Sequence, residues 1–454
     1  MQDSAASAEI VTKSSALIDI ENPYNALVSH IAGMLEGVES TPLKEHCIYR
    51  VPMEVQKIDK EAYTPRIVPI GPFQHGNERL QSMEAPKLIY FKKLIERGNM
   101  RLEDYVGLIK QHEEKIHNCY AETIGLNSDK FVTMILVDAG FIIELLLRSY
   151  FGDLREQNEP LLSKPWVIID IEHDLILLEN QLPFFVLEGF FNLTSAPVPN
   201  NFPSLLQLTL DFFENYNNQK RVPNFRERHF TDLIRTLHFP ASRRLSPRVE
   251  EFNFLHNAIE LYEAGVKFKV GSSKCLLDIQ FSKGVLEIPC FQLYDTTVPL
   301  IRNLMALELC HYPQDFYIIG YFILVDYLIN TPKDINLLVQ NRILVNGLGD
   351  SDAAATLFNK LCAHITFSDQ LKNILSVGGA VTELRSDVVV IWMRWREWLC
   401  NYGGKMVVSW YSGGSDHIGN DNGSGGGSTA TEETLVIEVA STMDGFRVAD
   451  PLKF

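Results

Sequence analysis

One nearly apolar stretch constrains the fold of this chain most strongly, because polar residues and a proline interrupt it. Residues 174–191 read DLILLENQLPFFVLEGFF. A helix formed by such a segment would be apolar on nearly all sides and would therefore be buried. Pro183 has no amide hydrogen, and its ring clashes with the carbonyl group of Glu179 in a continuous helix. The sequence therefore predicts two buried helices separated by a break.

The polar residues at this break have a structural explanation. A buried helix end leaves backbone N–H and C=O groups that need hydrogen-bond partners. The side chains of Glu179, Asn180 and Gln181 stand at that position and carry donors and acceptors. We interpret these three residues, called the polar trio below, first as a helix-junction device. The predicted helices run over 172–180 and 183–190.

Apolar periodicity elsewhere predicts a mainly α fold. Helical spacing, caps and closing glycines indicate further helices over residues 80–97, 102–120, 128–150, 202–216, 227–237, 253–264, 298–310, 316–329, 333–339, 352–365 and within 370–400. The pattern changes to alternation near residue 266, and SKG then reads as a hairpin turn. We therefore predict a single large helical domain with a small inserted β-hairpin or three-stranded element around 266–289.

Composition divides the chain into three parts. Residues 1–40 are polar, lack strong periodicity and are predicted to form a flexible N-terminal arm. Residues 41–402 are predicted to form the helical domain. Within it, the four prolines of residues 47–76 favour an extended segment laid across other elements. Residues 403–454 are rich in Gly and Ser and are predicted to be a disordered tail.

Charge and hydropathy exclude several classes of protein. The formal net charge of -16 opposes binding to nucleic acids and to anionic membrane surfaces. The apolar windows at 131–147 and 317–329 contain acidic residues and are shorter than the about 20 residues of a spanning helix. The seven cysteines contain no C-x-x-C pair and are expected to be reduced, mostly buried thiols. We expect a cytoplasmic protein without a transmembrane segment, with peripheral membrane contact as an open alternative.

The densest polar cluster, IDIEHDL at residues 169–175, contains a candidate catalytic histidine. Carboxylates beside His173 can orient it as a general base or bind a hard metal ion. The competing interpretation is a solvated turn and a charged helix start, where the helix dipole favours acids. We favour the second interpretation for the cluster as a whole.

The polar trio supplies a second set of candidates. A carboxyl group in an apolar helix has a raised pKa, and groups with shifted pKa values are frequent at functional sites. Glu179 is therefore a candidate catalytic acid, and Asn180 and Gln181 are candidate ligand-binding residues.

A third set of candidates lies in GPFQHGNERLQSMEAPK. His75 is a candidate catalytic residue, and Glu84 is a candidate ligand-binding residue that faces Lys87 at helical spacing. The alternative is a helix-entry loop with a surface ion pair, which we favour because such pairs are weak signals.

Motifs for cofactors and metals are absent from the sequence. There is no G-x-S-x-G elbow, no G-x-x-x-x-G-K-[ST] loop and no strand followed by G-x-G-x-x-G. His112 and His117 are five residues apart, which does not fit H-E-x-x-H. We expect no cofactor and no metal ion.

Several characteristic blocks follow one another along nearly the whole chain, among them IYRVP, AYTPRIVPIGPFQHG, LQSMEAPKLIYF, DLILLENQLPFFVLE, LLDIQFSKGVLEIP and INTPKDINLLV. In this order they resemble the blocks of one plant family, the domain of unknown function 247 proteins. The resemblance implies a C-terminal transmembrane helix. Here a Gly/Ser-rich segment follows WREWLCNY, so that anchor is not expected.

The resemblance carries over no catalytic residues. An association of some members with pollen self-incompatibility implies recognition or signalling. Our leading hypothesis is a non-catalytic binding or interaction protein whose partner is a protein or a small molecule. The alternative is a soluble enzyme of plant specialised metabolism that uses an acid/base pocket near Glu179 or His173. The sequence does not predict the oligomeric state.

Overall fold

The structure is a computed structural model in which the chain divides into two units, Met1–Glu45 and His46–Phe454. It describes residues 24–36, 46–98, 100–156, 159, 161–194, 202–223, 228–239, 256–313, 315–363, 405–411 and 434–440. The described part of the first unit contains helix α1 (Asn25–Glu36), and all other elements belong to the second unit.

The second unit is mainly helical, which confirms the predicted fold class. Its helices are α2 (Met53–Gln56), α3 (Glu84–Arg97), α4 (Leu102–Cys119), α5 (Ser128–Tyr150), α6 (Pro165–Leu175), α7 (Phe184–Thr194), α8 (Leu205–Phe212), α9 (Phe230–Leu237), α10 (Ala258–Glu263), α11 (Thr297–His311), α12 (Tyr317–Leu328), α13 (Pro332–Gln340) and α14 (Ser351–Leu361). Its strands are β1 (Lys267–Gly271), β2 (Gln280–Ser282), β3 (Val285–Pro289), β4 (Phe291–Leu293), β5 (Leu344–Asn346), β6 (Lys405–Tyr411) and β7 (Thr434–Ala440).

Helix α5 lies at the centre of the core, as its apolar sequence predicts. Every residue from Met134 to Arg148 is buried, so the helix is enclosed on all sides. It packs against α3, α4, α7 and α8. Gly140 allows the close approach of α3, because a Cβ atom there would lie 2.1 Å from the ring of Phe91. The N-cap is Asn127, whose side chain accepts a hydrogen bond from the Lys130 amide.

The predicted break at Pro183 is confirmed, but the predicted bounds of the first helix are wrong. Helix α6 begins at Pro165, a residue suited to the first helical turn, and it ends at Leu175 instead of residue 180. A turn follows, and α7 begins at Phe184. The early end of α6 has a physical cause, since amide side chains of the polar trio bind its last carbonyl groups.

The predicted three-stranded element is also confirmed. The strand order is β1-β3-β2, with β1 parallel and β2 antiparallel to β3. The turn between β2 and β3 has positive φ at Lys283 and Gly284, which fits the SKG hairpin. Two pairs were not predicted, the parallel pair β4–β5 and the antiparallel pair β6–β7.

The predicted extended segment, residues 47–76, is largely non-helical but contains α2 and a 3-10 helix over Lys60–Tyr63. No helix in the described ranges is long and apolar enough to cross a membrane. The helix predicted within 370–400 lies outside the described residues, as do residues 1–23 of the predicted arm. Within the predicted arm the described residues form α1, and within the predicted tail they form the β6–β7 pair. The division into arm, domain and tail stays a prediction.

Candidate functional site

The amide side chains of the polar trio are fully used by backbone groups. Asn180 accepts from the amide of Ile70 (2.6 Å) and donates to the carbonyl oxygens of Val68 (2.9 Å) and Asp174 (2.8 Å). Gln181 donates to the carbonyl oxygens of Leu175 and Leu177 and accepts from the amide of Phe230, at 2.6, 2.8 and 3.0 Å. These bonds close the end of α6 and fix neighbouring segments to it. The junction role is thus confirmed.

Glu179 also binds the protein's own backbone. Its carboxylate accepts from the amide of Val51 (2.9 Å) and from the Arg50 guanidinium (3.2 Å). Burial raises the pKa of the Glu179 carboxyl, while the Val51 amide and Arg50 act in the opposite direction. None of the trio lines the cavity described next.

A cavity of about 1210 Å³ lies between the C-terminal part of α6, the segment that follows α8, and the region of β4 and α11. Of the sequence candidates, it contains His173, together with the neighbouring Glu172. We call this space the Glu172–His173 cavity. The IDIEHDL cluster is therefore not a solvated helix start: Glu172, His173 and Asp174 are buried in the last turns of α6. Because α6 begins earlier than predicted, the cluster lies at its C-terminal end.

Glu172 is a buried acid facing this cavity. Burial raises the pKa of its carboxyl from 4.5 to about 7, and the nearby charge of Glu214 adds to the shift. A hydrogen bond with the Asn215 side chain opposes it. Glu172 therefore changes protonation near neutral pH and can donate or accept a hydrogen bond.

His173 has the opposite shift. Burial lowers the pKa of its imidazole from 6.5 to about 4, and the positive charge of Arg66 contributes in the same direction, against Asp170. The ring is 4% exposed, and its Nδ1 atom is buried without a hydrogen-bond partner among the described residues. An unpaired buried polar atom costs about 1–3 kcal/mol. The imidazole is neutral at pH 7.

Several exposed apolar and aromatic side chains line the cavity. Tyr150, Ile169, Val222 and Tyr294 line it and are 44%, 46%, 69% and 43% exposed, respectively. Exposed apolar side chains around a recess are typical of surfaces that bind a ligand or a partner. Exposed polar residues also line the cavity, among them Asp211, Asn218 and Lys220.

The Asp174 side chain binds the backbone of the extended segment, residues 47–76, to helix α6. Its carboxylate accepts from the amides of Arg66 (2.7 Å), Ile67 (2.7 Å) and Val68 (2.8 Å). Burial still raises the pKa of Asp174 to about 6. The segment therefore obtains its order from buried side chains.

The remaining sequence candidates are separate from the cavity. His75 is exposed in a turn, and Glu84 pairs with Lys87 at 2.7 Å. This pair is not a surface ion pair, because Lys87 is buried and also contacts Asp138 at 2.7 Å. In the described part of the chain, no group of three or more His, Cys, Asp or Glu residues is placed to hold a metal ion.

Sequence reasoning missed Glu172 as a buried cavity residue. The missed signal is Pro165, since a proline at the first helical turn moves the helix start upstream. With that start, the pair at 172 and 173 falls in the last turns of the helix. No comparable sequence signal marks the residues after α8 that line the cavity.

Comparisons with known proteins agree with the resemblance in the sequence. The profile of DUF247, described as a plant protein of unknown function, matches residues 48–406. UPF0481 protein At3g47200 of Arabidopsis thaliana is 24% identical over 378 residues, covering 76% of this chain and 78% of that protein. Putative UPF0481 protein At3g02645 of the same plant is 24% identical over 419 residues, covering 70% and 78%. No solved structure matches the chain.

Proposed function

This chain belongs to DUF247, a plant family of unknown function, and we propose that it is a non-catalytic binding protein acting in recognition or signalling. The Glu172–His173 cavity is the proposed binding site. The observation that supports this proposal is that Glu172 and His173, two buried polar residues, line a large cavity.

The lining of the cavity indicates the type of ligand. Its acids and bases offset one another, namely Glu172, Asp211 and Glu214 against Lys220, Arg221 and Lys274. The neutral imidazole of His173 adds no charge at pH 7. A ligand without a large net charge fits such a lining, with polar groups for the charged and amide side chains and apolar parts for the exposed apolar side chains.

Native mass spectrometry tests the proposal directly. The purified full chain is incubated with a plant small-molecule extract, and bound molecules are read as stoichiometric mass increments. We expect an adduct on the wild-type chain. Ile169→Asp should abolish it, because a charge among the apolar side chains of the lining requires desolvation when the ligand enters.

Ile89→Asp is the matched control for this substitution. Ile89 is 56% exposed on α3 and does not line the cavity, so it has the same chemistry and a similar exposure elsewhere. The adduct should persist in Ile89→Asp. An adduct that survives in Ile169→Asp, or no adduct at all on the wild-type chain, contradicts the proposal.

A second candidate function is acid/base catalysis, which is favoured by the two opposite pKa shifts at adjacent residues. Between about pH 4 and pH 7, Glu172 retains its proton while His173 is neutral. One carboxylic acid and one free imidazole in the same cavity are the groups that proton transfer requires. Glu179 does not share this cavity, so the proposed pocket is the one at His173.

Substrate consumption distinguishes catalysis from binding. Extract components are followed by liquid chromatography and mass spectrometry over time with the wild-type chain, Glu172→Gln and His173→Gln. Catalysis predicts a component that disappears at a rate falling below about pH 4 and above about pH 7, and that persists with either variant. Stable adducts without any consumed component support binding alone.

A further inference from the structure

Two buried cysteines lie against each other at the point where the extended segment meets the end of α4. A parallel bridge joins Ile48 to Tyr120, the residues that follow Cys47 and Cys119. The amide of Cys47 is 2.9 Å from the carbonyl oxygen of Cys119. Backbones paired in this way lie about 5 Å apart, and disulfides join residues whose Cα atoms are about 4.4–6.8 Å apart.

The thiol groups of the two cysteines also influence each other. The neighbouring Cys119 thiol, together with burial, raises the pKa of Cys47. The Cys119 thiol also contacts the carbonyl oxygen of Lys115 at 3.4 Å. Both residues are less than one-tenth exposed. The two cysteines are therefore buried neighbours across this bridge.

We infer that Cys47 and Cys119 are a modification site that forms an intramolecular disulfide by exchange with a small-molecule disulfide. One protein thiol, as its thiolate, attacks the small disulfide, forms a mixed disulfide and releases one small thiol. The second protein thiol attacks the protein sulfur of the mixed disulfide and releases the other small thiol. Two protein thiols are oxidised, one small disulfide is reduced to two thiols, and these carry the two protons.

The position of the pair determines what the disulfide does. It joins the start of the extended segment to the C-terminal end of α4, and this segment supplies the Val51 amide that Glu179 binds. Burial and the raised thiol pKa make the folded pair slow to react. The reagent therefore acts while the segment is open, as it is during folding, and the closed disulfide then holds the segment in place.

Peptide mapping after refolding tests this inference. The full chain is refolded from urea with oxidised and reduced glutathione, the folded fraction is isolated by size exclusion, and free thiols are alkylated before digestion without reductant. We expect a peptide that links Cys47 to Cys119 and disappears on reduction. The oxidised protein should also unfold at a higher urea concentration than the reduced protein.

Two cysteine variants serve as controls for the peptide mapping and the urea unfolding. Cys119→Ala should remove the linked peptide and the difference in urea midpoint, whereas Cys275→Ala should retain both. Cys275 is a matched control because it is buried and its thiol contacts the carbonyl oxygen of His238 at 3.3 Å. The inference is overturned if folded wild-type protein carries separate alkyl groups on Cys47 and Cys119, or if Cys47 is linked to another cysteine.

Discussion

Asn180→Ala is expected to destabilise the protein strongly, because this one side chain satisfies backbone groups from two segments. The substitution leaves the Ile70 amide and the Val68 carbonyl group without the partners that Asn180 provides. The carbonyl oxygen of Asp174 loses its hydrogen bond from Asn180 but keeps one from the Leu177 amide at 3.3 Å, so it is not left without a partner.

The magnitude follows from the number of orphaned groups. Each buried backbone group left without a partner costs about 1–3 kcal/mol, so two such groups give a loss of about 2–6 kcal/mol. Whole domains are stable by only about 5–15 kcal/mol, so the loss is easily measured. Urea unfolding followed by circular dichroism, with linear extrapolation, gives the difference in free energy of unfolding.

Asn218→Ala is the control for this measurement. Asn218 is an exposed asparagine, and its replacement should change the free energy of unfolding by less than about 0.5 kcal/mol. If Asn180→Ala also costs less than about 1 kcal/mol, the polar trio does not hold the junction in the way described above.

Three further predictions concern the core and the cavity. Gly140→Ala should lower the free energy of unfolding by about 1–3 kcal/mol, because its new methyl group overlaps the Phe91 ring; thermal and urea unfolding measure this loss. Lys87→Met should cost about 3–5 kcal/mol, because it leaves the Asp138 carboxylate buried without its cation, and urea unfolding at pH 7 tests it. The pKa of Glu172 is raised from 4.5 to about 7 in the folded protein. Folding therefore opposes ionisation of this carboxyl group, and the stability of the wild-type chain falls as pH rises from 4.5 to 7. Glu172→Gln should therefore gain stability relative to the wild-type chain between pH 4.5 and pH 7, and an unchanged difference across these pH values would contradict the assignment.

The helical core could be predicted from sequence because its signals are local. The apolar residues of α5 surround the whole helix, and this pattern predicts burial without knowledge of any partner. Pro183 likewise predicts a break, since its steric effect reaches only four residues back. The hairpin turn at Lys283 and Gly284 is local in the same sense.

The partners of the polar trio could not be predicted, because they are distant in sequence. The Val51 amide is 128 residues from Glu179, and the Ile70 amide is 110 residues from Asn180. A side chain with free donors and acceptors shows that partners are needed, but it does not identify them. The walls of the Glu172–His173 cavity could not be predicted for a related reason, because they come from segments that only the tertiary fold brings together.

Histidine NMR gives the most direct test of the proposal that the Glu172–His173 cavity binds a ligand. The chain is labelled with carbon-13 at the histidine rings, and the His173 signal is assigned by its loss in His173→Gln. On addition of the plant small-molecule extract at pH 7, we predict that the His173 signal shifts while the signal of His75, an exposed residue outside the cavity, does not. A His173 signal that stays unchanged while an extract component binds the protein would contradict the account.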